Sequence, residues 1–145
     1  MDAKDFFTET QKKTIQQAIA GAEFNTSGEI RVHIDNYCEA DVLDRAADLF
    51  HELKMDATVL RNGILFYLAI NDKKFAILGD KGINEKVPSD FWDHIKETMQ
   101  QYFKQQQFTE GLSKGIEMAG EKLKTYFPLL DNDTNELSNE VSFEK

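Results

Sequence analysis

Apolar and polar residues recur along this chain with two periods, and the period assigns most of its elements. Ile15, Ala18, Ile19 and Ala22 fall three and four apart, the spacing of one helix face, behind Thr8 as a cap. After the turn Asn25-Thr26-Ser27-Gly28, the period drops to two. Ile30, Val32 and Ile34 alternate with Glu29, Arg31 and His33, which predicts a strand over 29–34 with one face buried. Val42, Leu43, Ala46, Ala47, Leu49, Phe50 and Leu53 make a broad apolar face for a second helix over about 39–54. That helix has the length of a crossover, so the strands flanking it are expected to be parallel neighbours.

Ile64 to Ile70 is the longest apolar run. It is too short to span a membrane and reads as a strand buried on both faces. A turn at Asn71-Asp72-Lys73 returns the chain into a second short run, Phe75 to Leu78, as a hairpin. An irregular loop is expected over Gly82 to Val87, and Pro88 can open a third helix. Phe91, Trp92, Ile95, Met99, Tyr102 and Phe103 give that helix an aromatic face, and Gln105-Gln106-Gln107 breaks it. The fourth helix starts at Thr109 and carries Phe108, Leu112, Ile116, Ala119, Leu123 and Tyr126 on one stripe, ending at Phe127-Pro128. Gly111, Gly115 and Gly120 each weaken it by roughly 1 kcal/mol relative to Ala, which predicts close packing against a neighbour.

The length of 145 residues sets one domain, over 1–127, followed by a tail over 128–145. The tail is acidic: Asp131, Asp133, Glu136, Glu140 and Glu144 face only Lys145, so it is expected to be largely disordered. Leu137, Val141 and Phe143 run against that composition and suggest docking, on the domain or on a partner. The net charge of −9 argues against nucleic acid and against charge-driven docking on anionic lipid. Cys38 is the only cysteine, which excludes a disulfide framework; in its acidic loop it is expected to be inert. No apolar leader and no membrane-length run is found, so the chain is expected to be soluble and cytoplasmic, without membrane insertion.

The predicted topology gathers polar groups at two ends of the sheet. One end collects Ser27, Gly28 and Glu29, then Arg61 and Asn62, then Gly79-Asp80-Lys81-Gly82. Turn chemistry alone explains the glycines, and a ligand role is the alternative. Ser27, Arg61, Asn62 and Lys81 are the candidate ligand-binding residues. Glu29, Asp80, Asn84 and Glu85 offer oxygens to a hard cation, Ca²⁺ or Mg²⁺. The other end, with Asp35, Asn36, Asn71 and Asp72, reads as an ordinary hairpin turn. His33 reads as a surface or semi-buried histidine with no carboxylate partner evident, and His51 and His94 lack metal-ligand spacing. No nucleophile elbow or phosphate loop is present.

Taken together, Ser27-Gly28-Glu29-Ile30-Arg31-Val32, Asn62-Gly63-Ile64-Leu65, the pair Gly79 and Gly82, the series Phe103, Phe108, Gly111-Leu112 and Gly115-Ile116, and closing Phe127-Pro128 resemble the TPM domain family. The resemblance spans about residues 8–127. It implies an α/β three-layer sandwich, a small mixed sheet with helices on both faces, in the order α-β-α-β-β-α-α. It also implies a link to acid phosphatase activity, to Ca²⁺ binding, and to assembly or repair of membrane protein complexes. The family's acidic residue near the next helix start is best matched by Asp90, with Asp93 as the alternative, so Asp90 joins the candidate metal ligands. Gly79-Asp80-Lys81-Gly82 is one residue longer than the family's Gly-aromatic-Gly. Two functions follow as expectations. The first is a non-catalytic binding module, an accessory to a membrane complex whose partner is a membrane-anchored protein of the same family. The alternative is a metal-assisted phosphomonoesterase, with Arg61 on the phosphate oxygens and a cation held by Asp80, Glu29 and Asp90.

Overall fold

The computed structural model describes residues 3–129 and 141–143. A short helix, α1 (Ala3–Phe6), precedes α2 (Glu9–Glu23). Thr8 caps α2 in a reciprocal box, its Oγ1 accepting from the Gln11 amide while Gln11 Oε1 accepts from the Thr8 amide. Next come β1 (Glu29–Asp35), α3 (Val42–Glu52), a 3₁₀ turn over Met55–Ala57, β2 (Gly63–Ala69) and β3 (Lys74–Gly79). A turn of helix, α4 (Lys81–Asn84), leads to α5 (Phe91–Lys104), α6 (Phe108–Tyr126) and a two-residue strand, β4 (Ser142–Phe143).

The sheet order is β3-β2-β1-β4. β1 and β2 are parallel, as the crossover helix α3 requires, and the β2–β3 hairpin is antiparallel. All of β2 is buried, and its period of two divides the core. Ile64, Phe66 and Leu68 face α2, α5 and α6, packing with Ile15, Ile19, Met99 and Ile116. Leu65, Tyr67 and Ala69 face α3, packing with Ala46, Leu49 and Phe50. This is the three-layer sandwich with a mixed sheet.

Gly120 shows why α6 carries glycine. A Cβ there would lie 2.7 Å from the Ala22 Cα, so α2 and α6 touch through backbone. Gly111 and Gly115 instead admit Phe103 and Met99 of α5.

Three local expectations are corrected. The segment after β3 is not wholly irregular, because the Asp80 side chain caps α4 by accepting from the Lys81 amide. His33 is no surface residue: it is 5% exposed, because β1 is an inner strand and β4 lies beside it. The C-terminal segment adds a fourth strand to the three expected, and of the two docking alternatives raised above for Val141 and Phe143 it is the domain that receives them. β4 pairs in parallel with His33 and Ile34 of β1, and Val141 and Phe143 pack against the larger core cluster. Leu137 lies outside the described residues.

Candidate binding end of the sheet

The parallel pair places Glu29 opposite Gly63, so the segments entering β1 and β2 meet at one end. The hairpin brings β3 back there, with Ile64 opposite Gly79. Ser27, Glu29, Arg61, Asn62 and Asp80 therefore converge from three segments remote in sequence. Asn62 is buried; its carbonyl accepts from the Glu29 amide, and its Nδ2 donates to Ser27 Oγ at 3.3 Å. Arg61 has left-handed backbone, φ 51°, an uncommon conformation for a side-chain-bearing residue. Its guanidinium is a fork on Asp80, with Nε to Oδ2 at 2.6 Å and Nη2 to Oδ1 at 2.8 Å. That hydrogen-bonded pairing raises the Arg61 pKa further above its already high value. Gly82 lets α4 close over this loop. Its amide donates to the Arg61 carbonyl, and a Cβ would come within 2.3 Å of the Leu60 carbonyl oxygen.

The remaining candidates stand at the margin. Lys81 is exposed. Asn84 donates to the Gly79 carbonyl and accepts from Trp92 Nε1, so its amide fastens α4 to α5. Asp90 stands at the start of α5, largely exposed, paired with His94 at 3.3 Å. The segments that enter this end of the sheet carry exposed apolar side chains. Val59 is 83% exposed and Leu60 43%, just before Arg61. Phe24 is 67% exposed before β1, and Leu129 sits nearby because its amide donates to the Asn25 carbonyl.

The opposite end of β1 is richer than a plain hairpin turn. Asp35, 2% exposed, accepts from His33 Nε2 at 2.8 Å, Arg45 Nε at 2.9 Å and Tyr67 Oη at 2.6 Å. Burial alone would push the Asp35 carboxyl up. The hydrogen bonds from His33, Arg45 and Tyr67 outweigh it and hold the group well below the usual carboxylate range. Burial, followed by the bond to Asp35, pushes the Tyr67 hydroxyl far up. Asp72 reaches across to accept from the Cys38 amide at 2.7 Å, and the Cys38 thiol donates to the Ala40 carbonyl. The one sequence signal for this cluster is that His33 and Asp35, two apart, share a face of β1. Tyr67 joins them only through the register that sets it opposite His33.

Residues 1–122 match the family model for the TPM domain. The chain belongs to the TPM domain family. This TPM domain is similar to the BA42 protein of the psychrophilic bacterium Bizionia argentinensis, solved by NMR: 52% identity, 97% of each chain covered, TM-score 0.91. It shares its fold with the N-terminal domain of the cg2496 protein of Corynebacterium glutamicum, at 14% identity, covering 90% of this chain and 85% of that one, TM-score 0.66. An N-terminal domain of a protein from P. gingivalis is alike in fold at 17% identity, covering 85% and 80%, TM-score 0.70. No curated protein matches the chain.

The family resemblance raises the question of a divalent cation at this end. Ca²⁺ takes six to eight oxygen ligands, several of them carboxylate. In this TPM domain both Asp80 oxygens are engaged by Arg61, and the Asn84 oxygen by Trp92. Among the described residues, no three His, Cys, Asp or Glu side chains gather as a metal cluster. As arranged, the donor set does not fit a cation, which would have to open the Arg61–Asp80 pair to bind there.

Proposed function

We propose that this TPM domain is a non-catalytic binding module that docks a protein partner on the end of the sheet where β1 and β2 begin. The observation that carries this reading is a closed polar centre together with exposed apolar side chains on the segments that enter the same end. Arg61 and Asp80, the charges a phosphoryl-transfer site would need free, neutralise one another. Val59 and Leu60, which lead into Arg61, and Phe24 and Leu129, on the segments beside the start of β1, stand in solvent. Exposed apolar side chains gathered at one place and rimmed by polar groups are the pattern of a protein-docking surface. The proposed partner is a membrane-anchored protein of the same family, for which this domain acts as an accessory in assembly or maintenance of a membrane complex. Among the described residues, no helix is long and apolar enough to cross a membrane itself.

The test is NMR mapping with the soluble domain of such an anchored protein. Amide shifts are expected at Val59–Asn62 and Phe24–Ser27, and Val59→Asp with Leu60→Asp should weaken binding by about a hundredfold at unchanged melting temperature. Shifts confined elsewhere would overturn the docking surface. Turnover of p-nitrophenyl phosphate that disappears in Arg61→Ala would overturn the non-catalytic reading. A Ca²⁺ titration of wild type and Arg61→Ala addresses the cation directly: release of Asp80 should strengthen Ca²⁺ binding in the variant.

A further inference from the structure

The β2–β3 hairpin turns at the opposite end of the sheet from Arg61 and Asn62, and a cavity of about 500 Å³ opens beside it. The buried Leu68 and Ile70, where β2 ends, line it from the core. Four half-buried phenylalanines from four elements join them: Phe75 of β3, Phe103 of α5, Phe108 of α6 and Phe6 of α1. Their rings touch in series. Phe75 meets Phe103 edge to face at 5.0 Å, Phe103 meets Phe108 at 5.4 Å, and Phe108 meets Phe6 edge to face at 5.4 Å. The polar part of the lining is Gln100, Gln106, Lys73 and Lys104, with no Asp or Glu among the described residues. Among those residues neither ammonium is in an ion pair. Asp72, the neighbour of Lys73, is turned to the Cys38 amide. Lys73 and Gln106 both have left-handed backbone, φ 55° and 60°. Gly or Asn takes that conformation more readily, so two separate turns keep a long polar side chain at this cavity against their backbone preference.

We propose that this cavity binds a small aromatic acid, with its ring among the phenylalanines and its carboxylate held by Lys73 and Lys104. An apolar, aromatic wall with a few convergent polar groups is the usual make-up of a small-molecule site, and the volume lies in the usual range. The ring series favours an aromatic body over an alkyl chain. A further ring continues the edge-to-face contacts, an attraction that an alkyl chain does not share. The polar groups select the head. Two ammoniums donate charge-assisted hydrogen bonds to a carboxylate, and no acid of the lining competes for them. The net charge of −9 opposes any anion at long range. Screening over about 8 Å at physiological ionic strength leaves the adjacent lysines to decide the local field.

The cavity lies at the far end of the sheet from the docking end proposed above, so the two readings stand or fall separately. The experiment titrates the full ¹⁵N-labelled chain with naphthoate, and with the neutral naphthalenemethanol and the aliphatic decanoate as comparisons. Naphthoate should shift the amides of Lys73–Phe75 and Phe103–Phe108 in a saturable way. Lys73→Gln with Lys104→Gln should weaken naphthoate by about tenfold and leave naphthalenemethanol unchanged, at an unaltered melting temperature. Gln100→Trp, a change at an exposed position of α5 that lines the cavity, should block both ligands by filling its mouth. Absence of shifts at these amides, or undiminished naphthoate binding in either variant, would overturn the proposal. Equal affinity for the alcohol would also overturn it, since the lysines would then be bystanders. Tighter binding of decanoate would replace the aromatic occupant with an alkyl chain and overturn it as well.

Discussion

At the scale of single residues, Asp35 is the most consequential side chain. It is buried and accepts three hydrogen bonds, from His33, Arg45 and Tyr67. Its carboxyl is held below its unfolded value, so it contributes stability fully above about pH 4 and loses it as pH falls toward the depressed folded pKa. Asp35→Asn should therefore cost on the order of 3 kcal/mol at pH 7, since it leaves a partly buried arginine without its counter-charge. Urea melts at pH 7 and pH 3 check this, and the gap between wild type and variant should narrow at the lower pH. Arg61 and Asp80 make the comparable pair at the other end, but the Arg61 side chain is 39% exposed and solvent screens it.

At the scale of elements, the close approach of α2 and α6 separates two glycines of identical chemistry. Gly120 has the Ala22 backbone against it, whereas nothing lies within 4 Å of a Cβ at Gly21. Gly120→Ala should destabilise by about 1–3 kcal/mol through forced separation of the helices. Gly21→Ala should stabilise by about 0.5–1 kcal/mol, because only the helical entropy term remains. Thermal melts of the two variants, moving in opposite directions, test the packing directly. Three-and-four spacing along the chain marks the apolar faces of both helices. It did not say which glycine meets backbone, because that depends on where two helices cross.

At the scale of the whole molecule, the chain carries a net charge of −9, with few ion pairs among its described residues to offset it. Self-repulsion of that excess opposes the compact state. Raising NaCl from about 10 mM to about 500 mM at pH 7 should raise the melting temperature, as the Debye length falls from about 30 Å to a few ångströms. A falling melting temperature would show that attractive pairs, not the excess acid, dominate the field.

By itself the sequence determined the layers. The period of two in β1, the unbroken apolar run of β2, and the three-and-four spacing of α2, α3, α5 and α6 are local facts, and each names which face must leave water. With the crossover length of α3 and the hairpin turn, they also determined the parallel pairing that joins Glu29 to Arg61 and Asn62 and the antiparallel return that adds Asp80. The tertiary structure alone decided what those side chains do once joined. Whether Arg61 faces a ligand or closes on Asp80 is set by Gly82 bringing α4 over the loop, a contact between segments some twenty residues apart. Whether His33 meets solvent or Asp35 is set by strand register and by β4 arriving from the far end of the chain. Periodicity reports how one segment partitions between water and core; the partners of a buried charge are fixed by segments that periodicity treats one at a time.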